Sequence, residues 1–241
     1  DGAGHYPVAK IGSSADLPIE ISTAKQALAM AEKAGYYKLV DDVVVDNEIN
    51  LSSKTWVIDL NGHSVRLEYA EGVKPNNGGV FKIGGSGSSL TINDSSEEQT
   101  GAVYGADKDD NNKVFCAVRL TNSGKLTING GHFYARGSSG NSCIFTMTSR
   151  SSSGKATVVI NGGTFETASA SNGIYYVLNH QDSATTGCTM TVNGGTFKEY
   201  NPGVTVVDPV NAYTGKIVLG TGCTTTSEER NGATWYTVSK S

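Results

Sequence analysis

Along residues 126–133 the chain reads Leu126-Thr-Ile-Asn-Gly-Gly-His-Phe133, with apolar and polar positions alternating up to the asparagine and resuming after the two glycines. The same order returns as Val158-Val-Ile-Asn-Gly-Gly-Thr-Phe165 and Met190-Thr-Val-Asn-Gly-Gly-Thr-Phe197, each 32 residues beyond the last. A period of two predicts strands with one buried face, and paired glycines predict a sharp bend where positive φ would penalise a side chain. Weaker copies precede these, Leu90-Thr-Ile-Asn-Asp94 and Trp56-Val-Ile-Asp-Leu-Asn-Gly-His63, and Lys216-Ile-Val-Leu-Gly220 follows as a sixth member. Other β-rich segments alternate with them: Val80-Phe-Lys-Ile83, Val114-Phe-Cys-Ala-Val118, Ile144-Phe-Thr-Met147 and Ile174-Tyr-Tyr-Val-Leu178. Clusters of Gly, Ser, Asn and Asp separate them, so each repeat holds about three short strands and three turns.

Three strands in a 32-residue period describe one coil of a parallel solenoid. A propeller blade takes about 40–45 residues and four strands. The expected fold class is all-β, a single-stranded right-handed parallel β-helix with an N-terminal capping α-helix. In such a coil, equivalent residues stack about 4.8 Å apart. Ile58, Ile92, Ile128, Ile160 and Val192 then form an aliphatic column, and Phe133, Phe165 and Phe197 an aromatic one. Asn61, Asn93, Asn129, Asn161 and Asn193 form a column of amides that bond along the stack. Residues 1–18 read as an extended arm and 19–37 as the capping helix, with a Ser22 or Thr23 N-cap, an apolar face of Ala24, Ala27, Leu28, Ala31 and Ala34, and a stop at Gly35. The β-helix is expected over 38–220. Residues 221–241 read as a C-terminal cap whose last strand is Thr234-Trp-Tyr-Thr-Val238.

Composition agrees with this picture and narrows the partners. Thirty glycines against five prolines, with only 17% charged residues, suit strands and tight turns. A formal charge of -4 gives no general attraction for nucleic acid or anionic lipid, and no apolar run reaches the roughly 20 residues of a membrane span. Cys116, Cys143, Cys188 and Cys223 are far apart and form no Cys-x-x-Cys pair, so buried free thiols are preferred to disulfides or zinc. The first residues show no apolar signal core, any leader being expected to have been removed, and no anchor domain or sorting signal is expected among the residues given.

Candidate chemistry is sparse. The run Asp107-Lys-Asp-Asp-Asn-Asn112 carries oxygen ligands at alternate positions, making Asp107, Asp109 and Asn111 the best metal candidates. It lacks the glycine and glutamate of an EF-hand loop, so a solvated turn is preferred. Acids elsewhere fall mainly in Asp41-Asp42, Glu97-Glu98 and Glu228-Glu229, outside the repeat strands, and no catalytic residues or cofactor emerge. His132 replaces the signature threonine and reads as an exposed ladder residue. Tyr134, Tyr176, His180 and Tyr200 are the candidate ligand-binding residues, because aromatics on a rigid surface suit sugars or a partner. Of Tyr175 and Tyr176, one must point inward, and Trp235 and Tyr236 read as packing for the C-terminal end.

With its Asn-Gly-Gly-Thr-Phe copies, Asp59-Leu-Asn-Gly-His63 and an N-terminal helix, the chain resembles right-handed parallel β-helix proteins of the pectate-lyase-like superfamily over residues 20–220. It is most similar to the non-enzymatic repeat proteins of gut-bacterial surfaces and phage fibres. That resemblance implies a structural or attachment protein: a rigid rod of a virion or fibre, trimeric, docking through its N-terminal arm and recognising partners, including glycans, through outer loops. A bacterial surface adhesin or carbohydrate-binding module is the first alternative, and a polysaccharide lyase or glycoside hydrolase the second. The expected location is a virion or the extracellular surface of a cell.

Overall fold

The computed structural model describes residues 14–69, 78–105, 115–121, 123–135, 142–147, 156–168, 170, 173–181, 189–204 and 216–241. Strands dominate, in three large sheets that the chain visits in rotation. The first round runs through Gly35–Leu39, Val43–Val45 and Ile49–Ser52, and the second through Thr55–Asp59, Ser64–Leu67 and Gly78–Gly84. Ser89–Asn93, Ala102–Tyr104 and Phe115–Thr121 make the third, followed by Lys125–Ile128, His132–Ala135 and Ile144–Met147. Then come Thr157–Ile160, Thr164–Thr167 and Leu178–Gln181, and after them Thr189–Val192, Gly195–Lys198 and Lys216–Leu219. First members of each round pair in parallel to form what we term the signature sheet, which Lys216–Leu219 also joins beside Thr189–Val192; second members form the phenylalanine sheet and the remaining third members the third sheet. This arrangement is compatible with a β-helix.

Register shows why one repeat stacks on the next. In the signature sheet Ile58, Ile92, Ile128, Ile160 and Val192 are direct neighbours in successive strands, and each is buried. In the phenylalanine sheet the rings of Phe133 and Phe165 lie 5.0 Å apart at 10°, and those of Phe165 and Phe197 4.9 Å apart at 9°. Burying each such ring contributes about 1.5–3 kcal/mol, more than any hydrogen bond at the surface of the stack. The alternation turns every second side chain into the core and the others outward.

The corners between the first two sheets are fixed by their glycines. Gly131, Gly163 and Gly195 take φ of 95°, 104° and 115°, and a Cβ on Gly163 would lie 2.8 Å from the Gly131 carbonyl oxygen. Only glycine meets both conditions. Beside this corner the amides form a ladder: Nδ2 of Asn129, Asn161 and Asn193 donates to Oδ1 of the preceding asparagine at 2.7, 2.8 and 2.8 Å, beginning at Asn93. Asn61 is not in this column. Asp59 is the neighbour of Asn93, while Asn61 turns at φ 49° and donates to the Leu39 carbonyl instead. At the other end Gly220 follows Leu219 in register with Val192 and leaves no room for a side chain beside Asn193 Oδ1.

The N-terminal region differs from the single helix expected over 19–37. Ile19–Ile21 is a strand paired with Gly35–Leu39, and the helix covers only Ala24–Ala29, followed by one 3-10 turn over Met30–Glu32. Thr23 is its N-cap, accepting from the Gln26 amide. Trp56 stops it: the buried indole N–H donates to the carbonyls of Met30 and Lys33, and the chain re-enters the signature sheet at Gly35. Residues 1–13 of the expected arm lie outside the described residues, and Ser14 and Leu17 form an isolated bridge. No described helix is long and apolar enough to cross a membrane.

At the C-terminal end the polarity of the sheet changes. Cys223–Arg230 and Ala233–Lys240 form an antiparallel hairpin, and Ala233–Lys240 pairs antiparallel with Gly195–Lys198. Asn231 and Gly232 close it with φ of 52° and 75°, the left-handed pair that matches strand twist. Thus the expected last strand is longer than 234–238 and has a partner strand before it. Cys116 and Cys143 are buried thiols, with burial pushing Cys116 up to about 11, and Cys223 is a free thiol that is half-buried. Cys188 lies outside the described residues.

Candidate functional site

The outward positions of the phenylalanine sheet gather the molecule's most varied surface chemistry. Arg66, Tyr104, Tyr134 and Glu166 are successive register neighbours, and Lys198 faces Trp235 across the antiparallel pair. Two residues earlier along the parallel strands run His132, Thr164 and Thr196, joined by Thr237, two residues after Trp235 in the antiparallel strand. Alternation places both rows on the face opposite the phenylalanine column. Tyr104, His132, Tyr134, Glu166, Lys198 and Trp235 are all half-buried, so their rings and polar ends meet solvent while the sheet holds their backbones.

Glu166 is the centre of this face. His132 Nε2 lies 2.8 Å from Oε1 and Lys198 Nζ 3.2 Å from Oε2, so both oxygens are engaged. The bond to His132 and the charge of Lys198 hold the Glu166 carboxyl below its ordinary value, against the opposing effect of burial. Around it the aromatics lock one another: Tyr104 meets His132 edge-on at 6.1 Å and Tyr134 at 6.2 Å. Lys198 and Arg230 each stand 5.8 Å from the centre of the Trp235 ring, and Arg230 pairs with Glu228. The result is a platform of edge-to-face rings around a carboxylate paired with Lys198.

Of the four residues expected to bind ligand, only Tyr134 stands on this platform. Tyr176 and Tyr200 are 7% and 5% exposed, the latter leaning on Phe197 at 6.2 Å, and burial pushes the Tyr200 phenol up. His180 is 5% exposed. Its strand is Leu178–Gln181 rather than 174–178, and Leu178 aligns with Ile144, which puts His180 beside Thr146 in the inward column of Ile83 and Leu120. These three side chains are therefore not displayed. Asp107, Asp109 and Asn111 lie outside the described residues, among which no group of three or more His, Cys, Asp or Glu is placed to hold a metal ion.

Four members of the platform, Glu166, Tyr104, Lys198 and Trp235, were not among the sequence candidates. Glu166 follows Phe165 in the repeat and faces out by simple alternation, a signal that was available once Phe165 was assigned to the core. Tyr104 sits in a strand without the signature motif. Trp235 was expected to pack the C-terminal end, but its register with Lys198 turns it outward, and Tyr236 takes the position over Phe197.

No protein-family model matches the chain, and neither the curated proteins nor the solved structures contain a match to it.

Proposed function

We propose that the chain is a right-handed parallel β-helix of the pectate-lyase-like kind, capped by its short helix, and that it serves as a rigid, non-catalytic attachment protein of a virion or cell surface that holds a glycan on the outer face of its phenylalanine sheet. The single observation that carries this is the platform itself: Tyr134 and Trp235 flank a carboxylate and an ammonium group on neighbouring strands about 4.8 Å apart. Ring faces stack on the apolar faces of sugars, and the paired polar ends bond hydroxyls. Because Lys198 compensates Glu166, and Arg230 is paired with Glu228, a neutral glycan fits better than a charged one. The handedness follows the general rule for parallel crossovers, and the trimeric assembly belongs to the same reading by analogy of fold.

A glycan array followed by calorimetric titration tests the binding. The expected outcome is capture of a neutral glycan, weakened about tenfold by Tyr134→Ala or Trp235→Ala, in line with about 1.4 kcal/mol for one aromatic contact. A blank array, or binding unchanged in both variants, overturns the site. Release of reducing or unsaturated sugar ends from a bound polysaccharide would overturn the non-catalytic part. Light scattering that returns the mass of one chain would remove the trimer.

A further inference from the structure

Among the described residues five asparagines are followed by glycine: Asn61, Asn129, Asn161, Asn193 and Asn231. This dipeptide is chemically fragile. The glycine nitrogen, losing its proton, attacks the asparagine side-chain carbonyl carbon, a C–N bond closes a five-membered succinimide, and ammonia leaves. Water then opens one of the two ring carbonyls, giving aspartate or isoaspartate, and in the latter the main chain runs through the side-chain methylene. The missing Cβ of glycine leaves the nitrogen unhindered.

Four of the five are restrained. Asn129 and Asn161 are bonded at both ends of the amide in the ladder, and Asn193 donates from Nδ2 to Asn161. Asn61 donates to Leu39, and the nitrogen that would attack it, that of Gly62, is bonded to Asp94 Oδ1 at 2.9 Å. Gly194 N likewise donates to the Ile160 carbonyl. For these the amide must first leave its bond. Asn231 has no such hold: it and Gly232 are exposed, and no side-chain bond restrains it among the described residues.

We propose that Asn231-Gly232 is a site of spontaneous deamidation and isoaspartate formation, and that the amide ladder suppresses the same reaction in the repeats. An inserted methylene lengthens a turn of two residues. The pairing of Arg230 with Ala233 next to it is then lost, and Cys223–Arg230, which among the described residues pairs only with Ala233–Lys240, loosens.

Ageing of the folded protein at mildly alkaline pH, with peptide mapping for aspartate and isoaspartate, tests this. Conversion at Asn231 is expected to exceed that at Asn129, Asn161 and Asn193 by at least about tenfold, because the latter require local opening, and unfolding in urea should erase the difference. Hydrogen exchange over 223–230 should accelerate with conversion. The Asn231→Gly variant keeps the turn conformation and should age without that acceleration. Ladder asparagines that convert as fast as Asn231 in the folded protein would overturn the proposal, as would equal loosening in the variant.

Discussion

Glu166 shows what a single side chain contributes to this surface. Its pKa is lowered in the folded protein, so the unfolded chain takes up a proton first as pH falls, and the stability it supplies is present above the ordinary carboxyl value of 4.5 and lost through the lower folded value. Glu166→Gln should therefore melt below the parent at neutral pH and approach it as pH drops well under 4.5, which thermal denaturation across that range will measure. A gap that persists at acid pH would assign the loss to packing. Residues of this kind were the least legible in the sequence, because an outward position reveals where a side chain points but not which neighbours it meets. Asp59 illustrates the limit: both it and Asn61 offer a side-chain oxygen near the corner, and only the register with Asn93 decides which one occupies the column.

Elements were easier to read when a repeat enforced them. The Asn-Gly-Gly strands were visible because three copies share a length, and stacked phenylalanines followed directly. The helix was overextended because alanine-rich sequence continues past its end, where propensity yields to a tertiary contact. Trp56 supplies that contact through both carbonyls. Trp56→Phe keeps the ring and removes the donor; the Met30 and Lys33 carbonyls keep Lys33 N and Tyr37 Oη as partners, so the loss should be about 0.5–1.5 kcal/mol per bond, with hydrogen exchange rising at residues 30–33. Unchanged stability in chemical denaturation would show that the helix ends for a local reason. Of the hairpin only the second strand was legible: Cys223–Arg230 has no repeat to mark it, although Asn231-Gly232 between Thr-rich runs is a strong turn signal that joins the two.

At the scale of the molecule, each round touches mainly the rounds before and after it, so stability is close to a sum of neighbour terms. Protection against hydrogen exchange should then be greatest at Lys125–Ile128 and Thr157–Ile160, which have strands on both sides, and least at Ile19–Ile21 and Cys223–Arg230, the edge strands of their sheets. Uniform protection from end to end would instead mark one indivisible cooperative unit. Candidate binding chemistry is distributed the same way: the platform takes its side chains from several rounds, none of which carries a motif for it, and this is why it surfaced only with the register.

The Asn-Gly-Gly corner joins consecutive strands in three residues or fewer, whereas the opposite connections, such as the stretch between Ala135 and Ile144, are longer and less alike. One edge of the molecule is thus a spine of constant pitch, turned by two or three residues at each round. A further Asn-Gly-Gly unit copied in phase would lengthen that spine by one round and leave the pitch of its neighbours as it is.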